Sequence, residues 1–300
     1  MSKLRKQRAG GRSTSTKTNS LIPLMGGKFR LASKIVPIIA YAKDAFDLTA
    51  YREWCGGGGR ILLNLLPDLF EERWYNDLDL GLAQLMAIVG DSDGVNLLKE
   101  ILWEAGVGQD VFLSAKQSRE NNENALMGAA STYIATTQSY AAGMTSYSNV
   151  LENYEHGENY YNRMETLESY QAILDGVKVT AGNCFELLEE CQHDEFALLY
   201  LDPPYYPSSM KTQNHYGERS WDIFEHQILV GKLLETEMKA VLSGYDTDCY
   251  QPLVDAGWTK IHLGEVAVSS SGAARVKAHE YVWINFDIPD ELLDKVSEPE

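Results

Sequence analysis

The sequence predicts an α/β fold, in which a mostly helical lobe is inserted into a Rossmann-like sheet. Three observations support this prediction. Residues 196–201 are an apolar run that stops at two prolines, as a fully buried parallel strand does. Residues 51–66 read as a strand, a glycine loop and a helix, the unit that opens a Rossmann-like sheet. Between positions 91 and 170 the apolar periodicity weakens and Tyr, Asn, Ser, Thr and Gln dominate, which indicates an insertion.

Length and composition set the outer bounds. The chain has 300 residues, 44% of them hydrophobic, which is enough for one large α/β domain with an insertion. No apolar run approaches the roughly 18 residues of a membrane span, so we expect no membrane segment. The four cysteines form no Cys-x-x-Cys pair and no cluster with histidine. This argues against disulfides and against a metal site, and it favours a reducing cytoplasm.

Charge is distributed unevenly along the chain. The net charge of -17 argues against a nucleic-acid partner. Residues 1–43, however, hold ten of the 26 Lys and Arg and none of the 43 acids. Residues 1–20 have too little apolar surface to fold, so we expect a disordered basic arm there. Contact with nucleic acid and an inert, solvated tail are both open for this arm.

The predicted domains follow from these changes in pattern. The α/β domain is formed by residues 21–90 and 171–287, and the inserted lobe by residues 91–170. Residues 288–300 are an acidic tail. Within the α/β domain, strands are predicted over residues 177–181 and 239–244, helices over 184–190, 224–237 and 247–256, and a closing antiparallel hairpin over 258–268 and 280–286.

Two glycines precede a lysine near the start of the α/β domain. The segment runs Leu24-Met25-Gly26-Gly27-Lys28. Glycines let the backbone approach an anionic group, whose charge Lys28 can neutralise. This segment is therefore a candidate ligand contact, although the pattern alone is a weak signal.

A second glycine run, residues 56–59, follows a short strand that includes Trp54. Without Cβ atoms this loop allows a cofactor to pass close to the backbone, with Gly56 and Gly58 as contacts. A floppy linker is the alternative. Asp77 favours the pocket, because it lies 21 positions after Gly56 and an acid at about that offset binds ribose hydroxyls. Asp79 is a weaker candidate and a plausible cap for a helix over residues 80–89.

The strongest signal is the tetrapeptide Asp202-Pro203-Pro204-Tyr205. The prolines restrict the backbone around Asp202 at the carboxyl edge of a strand, where open α/β sheets bind ligands. The Asp202 carboxylate and the Pro203 carbonyl can accept the two hydrogens of an exocyclic amine, which localises the nitrogen lone pair for methylation. Tyr205 offers an aromatic face to a base lifted out of a helix. The alternative is a plain turn, which does not require this combination of residues.

This tetrapeptide resembles the catalytic motif of adenine-N6 DNA methyltransferases. The order of motifs over residues 21–286 resembles that of the Dam-like, D12 class family. The resemblance implies S-adenosylmethionine as methyl donor and adenine N6 in a specific sequence of double-stranded DNA as acceptor. It also implies a methyltransferase fold and a target-recognition role for the inserted lobe, and it leaves a restriction endonuclease partner open. Catalysis is assigned to all four residues of the tetrapeptide.

The resemblance also assigns cofactor contacts. Lys28 and the residue four before it contact the cofactor in the family, which usually has Trp where this chain has Leu24. Asn183 stands where the family commonly shows an acid, and its amide can bind an adenine edge. The candidate contacts are Leu24, Gly26, Gly27, Lys28, Trp54, Gly56, Gly58, Asp77, Asn183 and Asp202.

Two segments are candidate DNA contacts. Residues 129–147 mix aromatic rings with amides and hydroxyls suited to phosphates and base edges, although a solvated helical lobe is an equal alternative. Residues 206–220 are polar and irregular, as is typical of a loop that closes over substrate. The candidates are Gln138, Tyr140, Lys211, His215, Tyr216 and Arg219.

Two other functions stay open at this point. One is an amino-group methyltransferase that acts on RNA or on a protein amide. The other is a catalytically silent nucleic-acid-binding module, which the missing Trp and the change from acid to Asn183 keep in view.

Overall fold

A computed structural model of the chain describes residues 20–24, 31–119, 124–152, 154–205, 221–268 and 276–298. Within these ranges the strands are β1 (Ala50–Trp54), β2 (Glu72–Asp77), β3 (Lys178–Ala181), β4 (Ala197–Leu201), β5 (Lys239–Tyr245), β6 (Thr259–Val268) and β7 (Val276–Ile284). They form one sheet in the order β3-β2-β1-β4-β5-β7-β6. Strands β1 to β5 pair in parallel, and β7 is antiparallel to both β5 and β6. The predicted α/β fold and its closing hairpin are confirmed.

Helices cover the sheet and fill the insertion. They are α1 (Ala32–Ala45), α2 (Leu80–Gly90), α3 (Ser92–Ala105), α4 (Gln109–Arg119), α5 (Ala125–Thr137), α6 (Tyr154–Glu165), α7 (Gln171–Leu174), α8 (Cys184–Cys191), α9 (Ile223–Glu235), α10 (Gln251–Asp255) and α11 (Asp290–Val296). Helices α3 to α6 lie in the insertion, which is mostly helical as predicted. Of the helices in the described ranges, none has the length and apolar character needed to cross a membrane.

The sheet separates two apolar cores, because alternate side chains of a strand point to opposite faces. The first core contains Tyr51 and Leu198 together with residues of α1, α2, α11 and the inserted helices. The second core contains Trp54 and Leu199 together with residues of α8, α9 and α10. Every residue of β1 and of β4 is buried. This placement explains why β4 reads as a continuous apolar run.

Helix α5 is a core element, which corrects the interpretation of residues 129–136 as a polar surface. Every residue from 128 to 136 is buried. Its hydroxyl groups are satisfied inside the protein, since Tyr133 donates to the Tyr160 carbonyl at 3.0 Å and Thr136 to the Thr132 carbonyl at 2.8 Å. Helix α5 packs against α2 and α4. Small residues such as Ala129 allow this close approach, and they hid the apolar character of the helix in the sequence.

Two other segments differ from the sequence-based expectation. The helix predicted over residues 60–66 is only a short 3₁₀ turn at Leu62–Asn64. Pro67 disfavours helical backbone just before it, and Leu65 is already extended with a ψ of 152°. The predicted acidic tail contains α11, which packs against α1 and buries Val296 in the first core.

Candidate active site

The glycine loop and the tetrapeptide meet at one edge of the sheet. Strands β1 and β4 are adjacent and parallel, with Trp54 opposite Leu201. The chain therefore leaves both strands side by side, and the Asp202 N–H lies 3.5 Å from the Trp54 carbonyl oxygen. From here β1 pairs onward with β2 and β4 with β5. Such a reversal of strand order is the position at which open α/β sheets bind their ligands.

The glycine loop is a structured turn and not a floppy linker. A Cβ atom at Gly56 would collide with the ring of Tyr75, and one at Gly59 would lie 2.6 Å from Met86 Cε. Gly59 also has a φ of 60°, which favours glycine. The Tyr75 hydroxyl donates to the Gly57 carbonyl at 2.6 Å. A Cβ atom at Gly58 would make only an ordinary contact with Leu24, so the fold does not itself require Gly58.

Asp77 ends β2 beside this loop. Its Oδ2 accepts from the Gly57 N–H at 2.8 Å and its Oδ1 from the Asp79 N–H at 2.8 Å. The carboxylate thereby ties the glycine loop to the start of α2. A carboxylate at the end of a strand beside a glycine loop is suited to the hydroxyls of a ligand.

The turn after β3 completes this side of the site. Asn76 donates from Nδ2 to the Gly182 carbonyl at 2.9 Å, which joins the ends of β2 and β3. Asn183 is exposed and caps α8 by accepting from the Phe185 N–H at 3.0 Å. Its Oδ1 is used in the cap, and its Nδ2 is the group available to an adenine edge. Sequence reasoning missed Asn76, although an amide directly before Asp77 in a buried strand was a usable signal.

The remaining candidate cofactor contacts have different positions. Leu24 is half-buried and lies against Gly57 and Gly58. Trp54 is completely buried in the second core, where its indole packs edge-on against Trp74 with ring centroids 5.6 Å apart. Only the backbone of Trp54 therefore faces the ligand edge. Gly26, Gly27 and Lys28 lie outside the described residues.

The tetrapeptide leaves β4 with Asp202 and Pro204 half-buried and Pro203 buried. The Tyr205 side chain is 9% exposed. Its hydroxyl donates to Glu280 Oε2 at 2.9 Å, and its ring meets Tyr245 edge-on with centroids 4.4 Å apart. Glu280 is a buried acid of β7 that sequence reasoning missed.

A second buried acid, Glu53 of β1, lies within electrostatic reach of Asp202. Burial raises the pKa of Glu53 to about 8, against hydrogen bonds from the Tyr51 hydroxyl and the Leu62 N–H, and the charge of Asp202 adds to the rise. These two bonds are 2.7 and 2.6 Å long. Glu53 is therefore mostly protonated at neutral pH and holds the turn that follows the glycine loop.

His226 of α9 lies behind the tetrapeptide and is completely buried. Its Nδ1 is 2.8 Å from the Tyr250 hydroxyl oxygen. Burial lowers the pKa of His226 to about 4, although the charge of Asp222 and a hydrogen bond with the Pro204 backbone oppose the change. The imidazole is therefore neutral at pH 7.

The inserted lobe holds two candidate DNA contacts, of which Gln138 is buried and Tyr140 is exposed. Gln138 is completely buried, where it accepts from the Gly108 N–H at 3.1 Å and donates to the Gly106 carbonyl at 2.7 Å. This placement fits a structural role and leaves the predicted DNA contact to Tyr140, which is 68% exposed. Lys211, His215, Tyr216 and Arg219 lie outside the described residues.

Asp79 forms an ion pair and caps a helix at the start of α2. Arg119 pairs with the buried carboxylate of Asp79, which also caps α2 by accepting from the Gly81 and Leu82 N–H groups. Asp79 is therefore the helix cap that the sequence suggested.

In the part of the chain that the structure describes, no three His, Cys, Asp or Glu side chains are grouped to hold a metal ion.

The strand order, the glycine loop at the switch point and the Asp-Pro-Pro-Tyr corner beside it define a Rossmann-like α/β methyltransferase. The family model for the D12 class N6 adenine-specific DNA methyltransferase matches residues 25–268, and the chain belongs to this family. Comparison with curated proteins gives no match. Membership in the family identifies the reaction as methylation of DNA adenine, and the predicted resemblance is confirmed.

Proposed function

We propose that the protein transfers the methyl group of S-adenosylmethionine to adenine N6 within a specific sequence of double-stranded DNA. The observation that carries this proposal is the pairing of β1 with β4, which brings the glycine loop and Asp202 to adjacent positions. A methyl donor bound over the loop and an amine held by Asp202 would then meet at one edge of the sheet.

The residues at this edge fit an adenosine-containing cofactor. Asp77 presents a carboxylate suited to ribose hydroxyls, and Asn183 presents an amide suited to an adenine edge. Residues 56–59 are all glycine, so backbone rather than side chains lines the surface of this loop. When bound, S-adenosylmethionine supplies an electrophilic methyl group. Leu24, Gly26, Gly27, Lys28 and the backbone of residues 54–58 are proposed as further contacts.

Asp202 and Pro203 would orient and activate the amine. An aromatic amine is a weak nucleophile because its lone pair is delocalised into the ring. A hydrogen bond to the Asp202 carboxylate and another to the Pro203 carbonyl would concentrate that pair on nitrogen, an effect that is strongest in the transition state. The methylated nitrogen is acidic and releases its proton after transfer, so no separate general base is required.

Tyr205 would provide the aromatic wall for an adenine turned out of the duplex. Stacking on an aromatic side chain contributes about 1 to 3 kcal/mol per base. Extrusion of the target base would bring its amine to the acceptors at this edge of the sheet. Recognition of sequence by Tyr140 and by residues 206–220, and a restriction endonuclease as partner, belong to the same proposal.

The direct test is transfer of labelled methyl from S-adenosylmethionine to duplex DNA, with the modified base identified by mass spectrometry. We expect label on adenine N6, and loss of at least about two orders of magnitude in turnover for Asp202→Ala with little change in DNA affinity. Asp44→Ala, which removes an exposed acid at the end of α1, is the matched control. A wild-type chain that binds DNA but methylates no base would contradict the proposal and favour the silent module.

A further inference from the structure

The ring of Tyr205 is supported by two neighbours as well as by its own backbone. Glu280 Oε2 accepts from its hydroxyl at 2.9 Å, and Tyr245 packs edge-on at an interplanar angle of 71°. Both supports come from the sheet, because Tyr245 of β5 pairs directly with Glu280 of β7. The orientation of Tyr205 is therefore coupled to the paired strands β5 and β7.

Burial of the Glu280 carboxyl group at this position costs the folded state free energy. Glu280 is only 4% exposed. The next three positions of β7 are also buried, namely Tyr281, Val282 and Trp283. A buried carboxyl group costs free energy unless it is hydrogen-bonded, and an apolar residue of similar size usually serves stability as well or better. The bond to the Tyr205 hydroxyl gives Glu280 a function that stability alone does not.

We propose that Glu280 is a positioning residue, which acts through the Tyr205 hydroxyl to fix the aromatic wall against which the extruded adenine stacks. Tyr245 supports the same ring from its edge. The inference rests on the proposed function, since a fixed ring matters for catalysis only if a base stacks on it. A misplaced wall would misalign the amine with its acceptors, and small misalignments reduce turnover strongly.

The kinetic test compares Glu280→Gln with Glu280→Leu. Gln keeps an acceptor for the Tyr205 hydroxyl, so kcat should stay within about threefold of wild type, whereas Leu should lower kcat by about 10- to 100-fold. The KM for S-adenosylmethionine should not change. Tyr205→Phe should match Glu280→Leu, and the double variant should be no worse than either single one. Tyr200→Phe controls for loss of a buried hydroxyl, because it deletes the bond to Ser243 at the same corner.

A second measurement is independent of activity. We would place 3-fluorotyrosine at position 205 and record its fluorine NMR signal in the full chain. The wild type and Glu280→Gln should each give one sharp signal, and Glu280→Leu a broadened or split one. An unchanged signal in Glu280→Leu, or unchanged kcat in a folded Glu280→Leu, would overturn the proposal. If the wild type showed no methyl transfer, the proposed function would be overturned instead. The fluorine signal would still decide whether Glu280 holds the ring.

Discussion

Two buried carboxyl groups of the site, Glu53 and Glu280, have different tasks. Glu53 accepts from the Leu62 N–H and fixes the turn after the glycine loop, whereas Glu280 accepts from the Tyr205 hydroxyl and fixes the tetrapeptide. The sequence could indicate neither task. An acid within an apolar strand shows that something polar is buried, but its partner depends on strand register and on the path of a turn, which residue patterns do not reveal.

The titration of Glu53 predicts a pH dependence of stability. Its pKa is raised to about 8 in the folded chain from an ordinary value near 4.5. The folded state therefore keeps a proton that the unfolded state releases, and stability is lost as pH rises from about 4.5 through 8, by up to about 1.4 kcal/mol per pH unit. His226, with a pKa lowered to about 4, acts in the opposite direction below about 6.5.

Of these two groups, Glu53 still contributes between pH 6.5 and 8 and His226 no longer does. We expect the melting temperature of the wild type to fall across this interval and that of Glu53→Gln to fall less. Thermal unfolding followed by circular dichroism measures both. Parallel curves for the two proteins would show that Glu53 is already ionised in the folded chain.

The position of Asp77 beside the glycine loop predicts that its removal weakens cofactor binding. Asp77→Ala removes a charged acceptor from two ribose hydroxyls, so the affinity for S-adenosylmethionine should fall by roughly 2 to 4 kcal/mol. Asp77→Asn keeps one acceptor for the Gly57 N–H and should lose less, which separates ligand contact from loop support. Calorimetry on all three proteins gives the comparison. Equal affinities would exclude Asp77 from the cofactor pocket.

At the scale of elements, the sequence predicted strands better than helices of the insertion. Strand β4 was found because a fully buried parallel strand is apolar throughout, β1 because a glycine loop follows it directly, and the hairpin of β6 and β7 because turn residues separate two apolar runs. Helix α5 was misread because its small Ala, Ser and Thr residues do not have the pattern of large apolar side chains that usually marks a buried helix. The site followed the same rule: Asp77 and Asp202 stand at strand ends and were predicted, while Glu280 and His226 are brought in by tertiary packing.

The close approach of α2 and α5 predicts the effect of added volume at Gly81. A Cβ atom there would collide with the hydroxyl oxygen of Thr132, a completely buried and β-branched residue that has little room to move. Gly81→Ala should therefore lower the free energy of unfolding by about 1 to 3 kcal/mol.

Gly231 of α9 offers a matched control. A Cβ atom at Gly231 meets nothing within 4 Å, so Gly231→Ala should stabilise the chain by roughly 0.5 to 1 kcal/mol through helix propensity alone. Urea denaturation of both variants measures the difference. Stabilisation by Gly81→Ala as well would mean that α2 and α5 do not pack this closely.

At the scale of the whole molecule, the inserted lobe is packed onto the sheet. The first core runs without interruption from α2 into the inserted helices, so the insertion is joined to the sheet by apolar packing. Ser20, the first described residue, accepts from Arg60 next to the glycine loop and from Arg163 and Tyr170 of the insertion. Ser20 therefore links the sheet to the inserted lobe.

Deletion of residues 1–19 tests the predicted basic arm as a DNA contact. Lys and Arg that contact phosphates release counterions, so the deletion should weaken DNA binding for every sequence and reduce the salt dependence by about 0.9 in log–log slope per lost contact. The melting temperature should stay the same, because Ser20 and its partners are kept. Fluorescence anisotropy over a range of salt concentrations measures the slope, and an unchanged slope would identify an inert tail.

The most direct measurement of the central claim is the methylation state of genomic DNA from cells that express the chain, read base by base. We predict N6-methyladenine within one recurring sequence, and its absence from cells that express Asp202→Ala at the same level. Methylation at cytosine N4 would keep the fold and contradict the choice of adenine. Genomic DNA without any new methylated base, from cells that contain the folded wild-type chain, would contradict the assignment of the Asp202 corner as an active site.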